Sequence, residues 1–234
     1  MFNPNVDFSP YCAQLQRARR VLIPHIFAAD IAERLHAALA AERAWDLCYL
    51  DGTSEATLAA SDYAMLDGDA RERTLVRIAR AASGRYAYAY DHYPLIERYL
   101  HARDDNHPLQ QLVNVFHSEP VLDFLRALVG DTGIRRVKMQ ATRYLPGHFL
   151  RRHNDTSGSN EERRFAFVFN LGRDWRADWG GLLQFVGDDG EVRETYLPTF
   201  NSLALFRVPQ WHQVSLVAPW AEQPRYALTG WLTP

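Results

Sequence analysis

Two imidazoles and a carboxylate in this 234-residue chain are spaced so that they could meet at one point. His153 and Asp155 stand two residues apart, just after the apolar pair Phe149 and Leu150. In extended backbone, positions i and i+2 project to the same face, so an imidazole and a carboxylate can converge. His212, in the segment Val208 to Val214, lies where a turn feeds a second strand-like run, Gln213 to Val217. Two histidines and one carboxylate make the facial triad that holds non-haem Fe(II) while leaving coordination positions open. Neutral His153 and His212 would donate ring nitrogens, and ionised Asp155 would offset part of the metal charge. His25, His36, His92, His101, His107 and His117 show no partner spacing, whereas His148, five residues before His153, could be mistaken for a ligand.

Such a site needs rigid strands around it. From Ile134 short apolar runs follow one another, at 134–145, 148–152, 164–171, 182–186, 192–197, 202–207, 213–217 and 225–232. Turn residues separate them, among them Asp188-Asp-Gly190, Asn201-Ser202 and Pro219. Eight such runs predict a double-sheet jelly roll. The run Phe165 to Leu171 is apolar on both faces, as a covered central strand should be.

Ahead of it the periodicity is mostly helical. Arg20 to Pro24 reads as a short strand. Asp30 then reads as an N-cap, with Glu33 closing a capping box and Ile31, Leu35 and Leu39 on one face. Residues 46 to 68 alternate poorly and hold the turn signals Asp51-Gly52 and Asp67-Gly68. Asp69 to Ala82, Pro94 to Leu100 and Pro108 to Phe116 read as helices. Ser118 caps another, which Gly130 ends. Arg85 to Tyr90 alternates strictly, giving either a packed strand or a wall of phenol rings. The chain is expected to be one catalytic domain over 1–234, with 1–130 mostly helical and 131–234 the β core: mainly β, with N-terminal helices bracing the barrel.

Composition narrows the setting. A formal net charge of −2 gives no global pull toward nucleic acid or an anionic membrane. Cys12 and Cys48 have neither metal spacing nor a disulfide framework. No secretory leader is visible, and no run approaches the roughly 20 apolar residues that span a bilayer. A cytoplasmic enzyme is the expectation, and a reducing compartment suits Fe(II).

The order His-x-Asp, distant His, then a basic residue resembles the 2-oxoglutarate- and Fe(II)-dependent oxygenases. Details resemble their prolyl 4-hydroxylase-like branch: Tyr144 nine residues before His153, then Gly147; Gly180-Gly-Leu-Leu-Gln-Phe185; His212-Gln-Val214; and Arg225 through Gly230-Trp231. The likeness covers the C-terminal half closely and extends more loosely to 118–125 and 85–90.

This resemblance implies the double-stranded β-helix fold, with His153, Asp155 and His212 as the metal and catalytic set. It implies Fe(II), 2-oxoglutarate as cosubstrate, O2, and ascorbate as a reductant. It also implies hydroxylation of an unactivated C–H bond with release of succinate and CO2. Arg225 would take the cosubstrate's far carboxylate through its planar fork, with Tyr144 as a second donor. Family members commonly carry serine two residues after the basic residue; here Ala227 offers no hydroxyl, so that contact is missing or is supplied by Thr229 or water. Arg164 would reach the substrate, and Trp179, Trp211 and the Tyr86–Tyr90 run could line its groove. A prolyl residue of a protein or peptide is the expected substrate. The alternatives are a free amino acid or biosynthetic intermediate, or a jelly-roll binding protein without turnover. Oligomeric state is left open.

Overall fold

The computed structural model describes residues 1–156 and 162–234. In chain order the elements are α1 (Ser9–Ala18), β1 (Arg20–Pro24), α2 (Ala29–Ala41), β2 (Asp46–Asp51), β3 (Ser54–Leu58), α3 (Ala60–Met65) and α4 (Gly68–Ala81). Then follow β4 (Tyr88–Tyr93), α5 (Leu95–His101), α6 (Pro108–Phe116), α7 (Glu119–Val129), β5 (Arg136–Tyr144) and β6 (Phe149–His153). Finally come β7 (Phe165–Asn170), β8 (Leu183–Val186), β9 (Val192–Tyr196), β10 (Ser202–Arg207), β11 (His212–Val214) and β12 (Arg225–Thr233). Each of the eight apolar runs after Ile134 contains a strand, although β11 starts at His212 and ends at Val214, short of the expected Val217. The hydrogen-bonded order is β1-β10-β7-β12-β5-β4-β6-β11-β8-β9, all antiparallel, with β2 and β3 added beside β4. It is the double-stranded β-helix.

Strand alternation divides the barrel into two chemistries. On β7, Phe165, Phe167 and Phe169 join one core with Leu35 and Leu39 of α2, Phe116 of α6 and Leu125 of α7. Each such phenylalanine stabilises the fold by about 1.5–3 kcal/mol through burial alone. Ala166, Val168 and Asn170 point the other way, into the barrel. The opposing strand β12 does the same, sending Leu228 and Leu232 to the helices and Arg225, Thr229 and Trp231 inward.

The N-terminal 130 residues contribute more strand than their periodicity predicts. β1 pairs β10 over five residues, and β4 bridges β5 and β6. The turn at Asp51-Gly52 closes a β2–β3 hairpin that pairs onto β4. In β3, Ser54, Glu55 and Thr57 are exposed while Ala56 and Leu58 are half-buried, so the strand has only one packed face.

Two expected caps differ. Helix α2 starts at Ala29 behind Ala28, whose side chain makes no cap. Asn201 fixes the incoming chain by bonding both Phe27 N and Phe27 O at 3.0 Å, so the helix begins before Asp30 can cap it. Asp30 instead accepts from Arg34, and Glu33 pairs with Arg173. Ser118 stands at the N-cap of α7, but its hydroxyl donates back to Val115 O at 2.7 Å. Gly130 ends α7 in the left-handed region, as expected. Gly180 is also left-handed, and a Cβ there would lie 2.0 Å from Leu216 O, so the turn into β8 needs glycine. Among the described residues no helix is long and apolar enough to cross a membrane.

Candidate active site

His153 ends β6, His212 opens β11, and the two are direct register partners. Their rings lie 4.1 Å apart. Asp155 follows β6 with φ of 64°, a backbone state unusual for a residue with a side chain. That turn brings its carboxylate back between the imidazoles, with Oδ1 3.4 Å from His153 Nε2 and Oδ2 3.6 Å from His212 Nε2. The three donor atoms all lie within 4.8 Å of one another.

The backbone sets which ring nitrogen is free. His153 Nδ1 donates to Arg151 O at 3.0 Å, and His212 Nδ1 donates to Gln210 O at 2.8 Å. Both lone pairs therefore sit on Nε2, facing Asp155, as a metal requires. Burial, helped by the neighbouring His153, pulls His212 down to about 4, so it is neutral at pH 7. Burial pushes Asp155 upward, but the His153 and His212 rings beside it outweigh this and hold the carboxyl below its ordinary value. Neutral nitrogens and an ionised carboxylate in open facial array fit Fe(II).

Beside this set lies a cavity of about 230 Å³. One wall is a ladder of phenols. Ring centroids step 5.8 Å from Tyr86 to Tyr88, 5.5 Å to Tyr90 and 5.3 Å to Tyr144. Tyr86 stands at the mouth, 5.7 Å from His153. Of the two readings open for this alternating run, the lining of the cavity is the one observed.

At the inner end Arg225 is buried, its guanidinium carbon 5.1 Å from the Tyr144 ring. Its Nε has no acceptor, and no carboxylate pairs with it among the described residues. Burial lowers its pKa, opposed by Tyr144, and an uncompensated buried cation is costly. The donor fits a carboxylate-bearing ligand such as 2-oxoglutarate. Burial keeps the Tyr144 phenol protonated as a second donor. Thr229 also lines the cavity.

Three expected substrate residues lie elsewhere. Arg164 is drawn away by Asp131, which accepts from its Nη1 through both oxygens at 3.0 Å, and by Glu162 at 2.8 Å. Its neighbour Arg163 takes the place at the cavity, 3.3 Å from Asp155 O and 3.9 Å above the Trp231 ring. Trp179 is buried against Trp175, and Trp211 is covered by the Arg152 guanidinium at 4.1 Å. Neither lines the cavity. The polar segment 156–162 falls largely on residues 157–161, outside the described residues.

The cavity also holds Gln140, Thr142 and Glu55, which sequence reasoning passed over. The first two share the alternation of Tyr144 on β5, a signal that was legible. Glu55 depends on the β2–β3 hairpin and was not.

Residues 139–233 match the 2OG-Fe(II) oxygenase superfamily. No curated protein matches the chain significantly by sequence. The fold is similar to that of a Pseudomonas putida prolyl-4-hydroxylase at 18% identity, covering 97% of this chain and 98% of that one, TM-score 0.57. It is similar to a Trichoplax adhaerens prolyl hydroxylase in complex with a hypoxia inducible factor oxygen degradation domain peptide fragment, at 15% identity, 95% and 86% coverage and TM-score 0.55. It is also similar to SnoN, a non-heme alpha ketoglutarate dependent epimerase from nogalamycin biosynthesis, at 11% identity, 97% and 82% coverage and TM-score 0.59.

Proposed function

We propose that this chain, whose residues 139–233 match the 2OG-Fe(II) oxygenase superfamily, is a dioxygenase that hydroxylates a prolyl residue of a protein or peptide. The balance is one C–H bond, O2 and 2-oxoglutarate giving C–OH, succinate and CO2. The observation that carries this reading is the donor set of His153, Asp155 and His212 beside the outer end of a phenol wall that reaches the surface.

Bound iron with 2-oxoglutarate supplies the oxidising power. The chain supplies placement. His153, Asp155 and His212 hold the metal through Nε2, a carboxylate oxygen and Nε2. Arg225 and Tyr144 fix the cosubstrate's far carboxylate, with Thr229 nearby. Tyr86, Tyr88 and Tyr90 offer flat apolar faces for a pyrrolidine ring and keep water from the reacting carbon. Arg163, held against Trp231, presents donors to a substrate carbonyl or carboxylate. A cytoplasmic setting and ascorbate as reductant belong to the same reading.

An open mouth favours a peptide: Tyr86 is 42% exposed at the rim. The Trichoplax neighbour was solved with a peptide fragment, which supports this choice by analogy. A second reading is a free amino acid or small biosynthetic intermediate. It is favoured by Glu55 and Arg163, charges of opposite sign lining one small cavity, which suit a zwitterion. Mass spectrometry of proline-containing peptides and of free amino acids, each incubated with protein, Fe(II) and 2-oxoglutarate, separates the two. A 16-Da gain on peptides is expected; a gain on free amino acids alone overturns the peptide assignment.

A further inference from the structure

The Arg225 guanidinium has one hydrogen-bond partner among the described residues: Asn170 Oδ1, 3.5 Å from Nη2. The orientation of that amide is dictated from behind. Asn170 Nδ2 donates to Ser202 Oγ at 3.1 Å, and Ser202 Oγ donates to Thr199 O at 2.6 Å. A hydroxyl has a single proton, so Ser202, having given its own to Thr199, can only accept from Asn170. The amide nitrogen must then face Ser202 and the amide oxygen must face Arg225.

The sheet register explains how these groups meet. Ser202 pairs with Asn170, Asn170 with Ala227, and Ala227 with Thr142, one row running across β10, β7, β12 and β5. Residues paired this way share a face, so polar side chains flank a central methyl. Arg225 lies two residues from Ala227 on that face, and the small side chain leaves room for its guanidinium to lean toward Asn170. On the other flank, Thr142 is 2% exposed, and its side chain makes no hydrogen bond among the described residues.

We propose that Asn170 is a positioning residue that holds Arg225 through a neutral acceptor, leaving the whole guanidinium charge for the far carboxylate of 2-oxoglutarate. The proposal rests on the cosubstrate reading given above. An aspartate at 170 would accept from Arg225 as well as the amide does, but it would neutralise the cation and compete with the ligand for it. The asparagine is therefore a choice of charge as much as of shape.

The test is calorimetric titration of 2-oxoglutarate into the anaerobic Fe(II)-loaded wild type, Asn170→Asp and Ser202→Ala, together with thermal unfolding of the ligand-free proteins. Asn170→Asp is expected to lose cosubstrate affinity by on the order of 100-fold, the scale of a compromised buried charge pair. Its ligand-free unfolding midpoint rises, and that rise disappears in the double variant Asn170→Asp/Arg225→Leu. Ser202→Ala is expected to lose affinity by several-fold, because the amide is free to turn its nitrogen toward Arg225. Wild-type affinity in Asn170→Asp overturns the proposal, as does wild-type affinity in Ser202→Ala should the aspartate variant fail to fold. A wild-type protein that takes up no 2-oxoglutarate overturns the cosubstrate reading instead. The ligand-free midpoints then still decide whether Asn170 holds Arg225.

Discussion

Arg225 opens β12 directly opposite Tyr144 at the end of β5, and its guanidinium rests on the face of that phenol ring. Charge and donor are thus presented side by side at the inner end of the cavity. Arg225→Ala should weaken 2-oxoglutarate binding by about 2–5 kcal/mol, the cost of truncating one side of a buried charge pair. Arg225→Lys should recover part of it, keeping the charge but losing the fork. Tyr144→Phe should cost less, about 1.5–3 kcal/mol for one hydrogen bond to a charged group. Titration of the cosubstrate into each variant measures all three; unchanged affinity in the alanine variant would show that another cation binds it.

Iron binding should depend on Asp155 more than the fold does. The residue lies on the chain just beyond β6, outside the helix-backed core. Asp155→Ala is expected to lose most Fe(II) affinity and all turnover, while the circular dichroism spectrum of the metal-free protein stays that of wild type. Stoichiometric iron in the purified variant, measured by atomic absorption, would remove Asp155 from the ligand set.

Neighbouring arginines should behave differently. Arg163→Ala removes a cation stacked on Trp231 beside the metal set and should raise KM for the substrate. Arg164→Ala breaks a partly exposed ion pair with Asp131, so it should change stability little and leave turnover unchanged. Steady-state kinetics and denaturant unfolding on the pair separate the roles. The reverse pattern would restore Arg164 to the substrate.

His148 should make the fold sensitive to mild acid. It is fully buried, and burial lowers its pKa, opposed by Asp91 of β4 and with Arg143 of β5 close by. Its Nδ1 accepts from Leu145 N at 3.1 Å, while among the described residues its Nε2 has no partner closer than Asp91 Oδ1 at 3.8 Å. Below the unfolded value of about 6.5, the unfolded chain takes up a proton that the folded one refuses. Stability therefore falls with decreasing pH through that window, by up to about 1.4 kcal/mol per pH unit for one such group. The thermal midpoint of wild type should drop between pH 7 and pH 5.5 more steeply than that of His148→Asn. Parallel curves would assign the acid sensitivity elsewhere.

By itself the sequence determined the elements whose signal is local. The eight apolar runs after Ile134 became strands because alternation and turn residues are properties of short segments. The meeting of His153, Asp155 and His212 was legible only in part: both histidines sit where a strand meets a turn, but Asp155 reaches them through a positive-φ turn beyond β6 rather than along the shared face of an extended strand. Family resemblance, carried by spaced motifs, supplied the roles of Arg225 and Tyr144. Tertiary structure decided what depends on distant partners. Asp131, more than thirty residues away, takes Arg164 from the site and leaves Arg163 there. Asn201 moves the start of α2 ahead of Asp30. The β2–β3 hairpin brings Glu55 to a cavity made mostly by other strands, and the row from Ser202 through Asn170 to Ala227 exists only once β10, β7 and β12 are paired. Pairing register and competition among charges act between segments, and no window along the chain contains both sides of them.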